Sequence, residues 1–251
     1  MLYVRIVILG LWNAWFYTLS TVAITLIFPL LLVCLIREKW YRGIYFLARY
    51  FWSPFILFGM GFIPLVRHKS KIDYNKQYVF VANHLSMIDI MMIFMTIKKP
   101  AVFIGKSELD RLPLFATIYK RAAILVDRGS ASSRKSVYYQ AKHKIKIGFN
   151  IMIYPEGLVP EPEVHLAPFK NGAFSLAIQH QIPIVPITLP DCKKRFPFQF
   201  SYNYWVGKPG IVRANVHTPI ETKGMTKDDM PALKEKLHQF MTERLVEEGY
   251  L

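Results

Sequence analysis

Four short stretches of this chain end an apolar run on residues equipped for chemistry. The first is Val81-Ala82-Asn83-His84-Leu85-Ser86-Met87-Ile88-Asp89. Asp89 follows His84 by five positions. On one continuous helix that spacing sets the two side chains about 140° apart, so they can meet only if His84 precedes the helix and Asp89 lies in its first turn. Ser86 is a good helix N-cap, which allows the arrangement. At the carboxyl end of a buried strand, where α/β folds place their sites, the result is a histidine base oriented by a carboxylate. The second stretch, Ile151-Met152-Ile153-Tyr154-Pro155-Glu156-Gly157, stops in a turn with an acid at its tip. The third, Ile124-Leu125-Val126-Asp127-Arg128, ends on a cation. The fourth, Ile182-Pro183-Ile184-Val185-Pro186-Ile187, is a strand edged by prolines. Each alone is a weak signal, and the first three also have plain readings: a capped helix with a surface histidine, a β-turn and a loop arginine.

Other chemistries lack their residues. The chain has no His-Glu-x-x-His, no Cys-x-x-Cys, no Gly-x-Ser-x-Gly and no Gly-x-Gly-x-x-Gly. Gly105-Lys106-Ser107 looks like half a phosphate-binding loop, but Pro100 stands where the first glycine is needed, so nucleotide binding is rejected there. Cys34 and Cys192 form no metal-ligand pair. They read as reduced thiols, which fits a cytosolic face. No metal and no cofactor is expected.

The elements that must position these residues follow from pattern. Apolar, β-branched runs at Tyr78–Ala82, Ala101–Gly105, Ala123–Val126, Ile151–Tyr154 and Ile184–Leu189 are strand-length. Helix-like segments lie between them near 86–97, 107–120, 131–147 and 171–180. This alternation predicts an α/β fold, a mixed, largely parallel sheet covered by helices. Phe198–Val206 and Gly210–Val216, separated by Gly207 and Pro209, read as an antiparallel pair. Lys227 to about Glu248 reads as an amphipathic helix, with Thr226 and Asp229 as a capping box.

The charge of +15 comes from 32 basic and 17 acidic residues. Hydrophobic residues at 53% exclude disorder. Residues 1–66 hold only five basic residues and one acid, which leaves 27 of the 32 and 16 of the 17 for the remainder. Such a surface attracts polyanions. No helix-turn-helix or RNA-binding signature is present, so the charge does not point to nucleic acid.

The first 66 residues point to a membrane instead. Ile6 to Ile36 is an uncharged run of 31 positions. As a helix it is about 46 Å long, more than the roughly 30 Å of bilayer hydrocarbon. A basic connector, Arg37-Glu38-Lys39-Trp40-Tyr41-Arg42, leads to a second apolar stretch, Tyr50 to Val66. Basic residues flank that stretch on both sides, which suits a hairpin dipping into one leaflet or one span followed by an interfacial helix. Two units are expected: membrane-docking helices over 1–66 and an α/β domain over 67–251.

Taken together, the four blocks resemble the glycerolipid acyltransferase family, specifically its 1-acylglycerol-3-phosphate acyltransferases. That family carries Asn-His-x4-Asp, a strand ending in Asp-Arg, Phe-Pro-Glu-Gly-Thr-Arg-Ser and a Val-Pro-Ile strand. The matches are Asn83-His84 through Asp89, Val126-Asp127-Arg128, Tyr154-Pro155-Glu156-Gly157 and Val185-Pro186-Ile187. Lys106-Ser107-Glu108-Leu109 and Phe169-Lys170-Asn171-Gly172-Ala173 are similar to the family's connecting segments, and the N-terminal hairpin to the membrane-docking motif of its bacterial members. The resemblance covers about residues 75–190.

The resemblance implies acyl transfer from an acyl carrier protein or coenzyme A thioester to the sn-2 hydroxyl of lysophosphatidate, at the cytoplasmic face of the cell membrane. His84 is implied as general base and Asp89 as its orienting partner, with no acyl-enzyme. Arg128 and Lys106 are implied to hold the acceptor's phosphate, and Glu156 with Gly157 to fix the acceptor or the site turn. Membrane lipids are the expected partners. One block departs: Leu158-Val159-Pro160 replaces Thr-Arg-Ser, and Glu161 and Glu163 follow. The family arginine that helps hold the phosphate is therefore missing. A lysolipid without a phosphomonoester, such as a lyso-aminolipid, is the alternative acceptor. A non-catalytic membrane-anchored lipid-binding protein is the alternative of another class.

Overall fold

Seven strands come together in one sheet, and the alternation of their side chains decides the layers. The computed structural model describes residues 2–106, 118, 122–126, 130–160, 164–198 and 207–250. The strands are β1 (Phe62–His68), β2 (Val79–Ala82), β3 (Ala101–Lys106), β4 (Ala123–Val126), β5 (Asn150–Ile153), β6 (Ile184–Thr188) and β7 (Gly210–Val216). Their spatial order is β1-β7-β6-β2-β5-β3-β4. Neighbours run parallel except β6 and β7, so the sheet is mixed and largely parallel as expected.

Strands β2, β5 and β6 are buried at every position, which is why they read as unbroken apolar runs. Val79 and Val81 face one core, closed by α5 (Ala131–Lys146), α6 (Gly172–His180) and α8 (Met230–Glu247). Phe80 and Ala82 face the other, closed by α1 (Leu2–Ile36), α3 (Ser53–Gly59) and α4 (Asp89–Thr96). The expected Thr226 and Asp229 capping box is formed, ahead of α8.

The N-terminal helices are thus part of one core layer. Helix α1 buries a single stripe, Leu9, Phe16, Leu19, Ala23, Ile27, Leu31 and Leu35. Phe16 meets Phe196 at 4.8 Å between ring centroids, and Trp15 Nε1 donates to the Gly59 carbonyl at 2.9 Å. The opposite face leaves Ile8, Leu11, Val22, Leu26, Leu30 and Val33 exposed.

The second apolar stretch departs from expectation. The chain is helical through α2 (Tyr41–Leu47), a π-helical turn over Ala48–Trp52, and α3. Gly61, at φ +76°, then turns it into β1. Only the part up to Gly59 is helix, and the sheet begins at Phe62, upstream of the division expected between 66 and 67. Pro64 disguised this strand. It is tolerated because β1 is an edge strand bonded only to β7. Strand β7 lies between β1 and β6, pairing with β6 only at Asn215 and Val216. Residues 199–206 of the expected partner strand are outside the described residues, as is the helix expected over 107–120 apart from Ile118.

Two contacts fix these helices to the rest. Arg49, in the π-helical turn, donates from Nη1 to the carbonyls of Phe94, Met95 and Ile97 at 2.6, 2.8 and 2.7 Å. These are the carbonyls that the end of α4 leaves without helical partners. In the connector, Glu38 accepts from His143 and Lys144 at 3.0 Å each, and Arg42 donates to the Ile147 carbonyl at 2.7 Å, so the connector rests on the end of α5.

Candidate active site

Strands β2 and β5 are neighbours in parallel register, with Val79 opposite Ile151 and Val81 opposite Ile153. Continued past the strand ends, that register brings His84 opposite Glu156. Glu156 Oε1 accepts the His84 backbone N–H at 2.8 Å, and Oε2 accepts that of Ala167 at 2.8 Å. The side chain is 1% exposed. Burial pushes its pKa up to about 7 against the pull of the two N–H groups, and the charge of Asp89 adds to the rise. On the other side of β2, Asn83 grips the end of β6: Oδ1 accepts from Leu189 N–H at 2.8 Å and Nδ2 donates to its carbonyl at 3.2 Å. The loop that carries His84 is held from both flanking strands.

The spacing argument for His84 and Asp89 is met. Helix α4 starts at Asp89 rather than at 86, and His84 precedes it. Asp89 Oδ2 lies 3.0 Å from His84 Nδ1 and also accepts the N–H groups of Leu85 and Ser86 at 2.8 Å each. Ser86 is not the helix cap by position, but its hydroxyl accepts from Ile88 N–H at 3.2 Å and donates to the Phe196 carbonyl. Because Oδ2 is an acceptor, the ring proton lies on Nδ1, and Nε2 keeps a lone pair. The His84 side chain is 19% exposed and that of Asp89 is 0% exposed. The histidine is reachable and its partner is not.

Two further side chains complete the surroundings. Tyr154 stacks face to face on the His84 ring, 4.0 Å between centroids and 14° between planes. Its hydroxyl is buried and has no hydrogen-bond partner among the described residues. Cys192, which opens the short helix α7 (Cys192–Arg195), is fully buried beside Asp89. Burial first, and the Asp89 charge second, push its thiol pKa well up, so it remains protonated.

The structure therefore brings together His84, Asp89, Glu156 and Gly157. Glu156 faces inward, with both oxygens on backbone N–H groups, which answers to fixing the site turn rather than to touching an acceptor. Lys106 stands at the end of β3, next to β5 and on the same edge of the sheet. Its side chain is outside the described residues, and so are Arg128, Glu161 and Glu163. The roles of Asn83, Tyr154 and Cys192 were not foreseen. Asn83 and Tyr154 lay inside the motifs without an assigned task; Cys192 gave no signal.

With the geometry in hand, comparison with known proteins is informative. The family model described as Acyltransferase matches residues 64–190. Human 1-acyl-sn-glycerol-3-phosphate acyltransferase beta is 30% identical over 218 residues, covering 84% of this chain and 74% of its own length. The chain belongs to the acyltransferase family. The 1-acyl-sn-glycerol-3-phosphate acyltransferase of Haemophilus influenzae is 27% identical over 216 residues, covering 84% of this acyltransferase and 85% of its own length. In fold, this acyltransferase is similar to the crystal structure of the 1-acyl-sn-glycerophosphate acyltransferase of Thermotoga maritima, with a TM-score of 0.77 and 21% identity over 99% of this chain and 98% of that one.

Proposed function

We propose that the protein transfers a fatty acyl group from an acyl carrier protein or coenzyme A thioester to the sn-2 hydroxyl of 1-acylglycerol-3-phosphate, giving phosphatidate. The observation that carries this reading is the 3.0 Å contact of His84 Nδ1 with the buried Asp89, which turns a reachable Nε2 toward the site. The names of the relatives supply the substrate.

In this reading His84 Nε2 takes the proton of the hydroxyl as its oxygen attacks the thioester carbon. The imidazolium that forms is stabilised by Asp89. The tetrahedral intermediate collapses with loss of the thiolate, which receives the proton from Nε2. The oxygen–carbon bond replaces the sulfur–carbon bond, and no enzyme nucleophile intervenes. A positioned base of this kind contributes about 10²–10⁴-fold. Tyr154 keeps the ring in one plane, and Glu156 keeps the backbone of His84 at the strand edge.

Association with a membrane surface is part of the proposal, and the exposed apolar face of α1 supports it. The basic connector and α5 suit the anionic, cytoplasmic leaflet. Leu158-Val159-Pro160 favours a second reading in which the acceptor carries no phosphomonoester. Acyl transfer by the purified full chain decides. Lysophosphatidate, monoacylglycerol and a lyso-aminolipid are offered in turn with each donor. Preference for lysophosphatidate is expected, and preference for a phosphate-free acceptor overturns it.

A further inference from the structure

After Glu156 the chain turns at Gly157, with φ +74°. A Cβ added there would stand 2.8 Å from Lys170 Cδ, 3.2 Å from Cε and 3.4 Å from Nζ. The lysine stem thus lies over the turn, and the positive φ favours glycine beneath it. Lys170 is anchored at its root by its N–H, which donates to the Pro155 carbonyl at 2.8 Å, and by the start of α6 two residues on. Its ammonium forms no ion pair or hydrogen bond among the described residues. Both oxygens of nearby Glu156 are already taken by backbone N–H groups. Leu158, Val159 and Pro160 bring no charge.

A cation anchored at its backbone, lying over the residue next to the group that holds His84 and with a head unengaged among the described residues, is placed to meet an anion on the substrate of that histidine. We infer that Lys170 binds the phosphate of the acceptor through the ammonium that lies over Gly157. The inference rests on the phosphate-bearing acceptor proposed above. In that acceptor the reacting hydroxyl and the phosphate ester sit on adjacent carbons, so a phosphate ligand must lie close to His84. An ammonium binds phosphate as a compact point charge with rotatable donors.

The test uses the full chain with lysophosphatidate and monoacylglycerol as acceptors. Lys170→Ala and Lys170→Gln should lower the preference for lysophosphatidate over monoacylglycerol about tenfold, mostly through KM, and Lys170→Arg should recover most of it. Thermal midpoints check folding; the exposed side chain makes no bond that its loss would break. Independently, lysophosphatidate should slow reductive methylation of Lys170 in the wild type, read by mass spectrometry, and monoacylglycerol should not. Equal losses on both acceptors, or no protection, overturn the assignment while the proposed function stands. A wild type that does not acylate lysophosphatidate overturns both.

Discussion

The carboxylate of Glu156 and the backbone N–H of His84 are joined at 2.8 Å, so the acid grips the chain that carries the base and leaves the ring alone. Glu156→Gln keeps one acceptor and turns an NH2 group toward the other N–H. It should cost about 1–3 kcal/mol of stability for the broken buried bond. The cost should depend on pH. The folded pKa of Glu156 is raised from 4.5 to about 7, so folding takes up a proton between those values. Its stabilising contribution is complete below pH 4.5 and is lost as pH rises through 7. The deficit of the Gln variant should therefore shrink from pH 4.5 to 7.5, by about 3 kcal/mol at most. Buried His217, pushed down to about pH 4, acts with the opposite sign over part of the window. The measurement is accordingly the difference between variant and wild type in urea unfolding at each pH.

His84→Ala should lower kcat at least about 100-fold with the fold and vesicle binding intact. More than a tenth of wild-type turnover would contradict a general base. Asp89→Asn should act in the same direction by a smaller or equal factor: an amide oxygen can take the place of Oδ2 and accept its three donors, but the charge that stabilises the imidazolium is gone.

Tyr154 separates two contributions of one side chain. Tyr154→Phe keeps the stack on His84 and removes a buried hydroxyl without a partner, so stability should hold or rise by about 1 kcal/mol, with activity retained. Tyr154→Ala removes the ring and should cost about 3–5 kcal/mol and most of the turnover. Thermal melts and initial rates check both; a Phe variant as damaged as the Ala variant would mean that the hydroxyl has a task.

Removing residues 1–66 should yield aggregated protein even in the absence of lipid. The deletion uncovers Phe80, Ala82, Val185 and Ile187 and takes away part of β1. A soluble truncated chain with full activity on bilayer-embedded substrate contradicts this.

What the sequence revealed depended on how local each feature is. His84 and Asp89 were legible because their contact spans five residues and is decided by one helix start. Strands β2, β5 and β6 were legible because burial on both faces leaves an unbroken apolar run. The hold of Glu156 on the His84 backbone was not, since it depends on the register of two strands 72 residues apart. Strand β1 was hidden by Pro64 and by its continuity with an apolar helix. Lys170 stood in a recognised segment, but its passage over Gly157 is a contact between two turns that no spacing rule supplies.

Arg49 joins the N-terminal helices to the helix that begins with Asp89, and every acceptor it uses among the described residues is a main-chain carbonyl. Carbonyls are common to all residue types. The three bonds therefore do not depend on which side chains stand at 94, 95 and 97, although Phe94 packs on Tyr45 and Trp52 and Ile97 is buried in the core. Correlated substitution between the two segments will be silent about this coupling. In a chimera that takes residues 1–66 from one relative and the remainder from another, these bonds should form whenever the donor brings an arginine to position 49, provided the recipient's helix still packs on Tyr45 and Trp52.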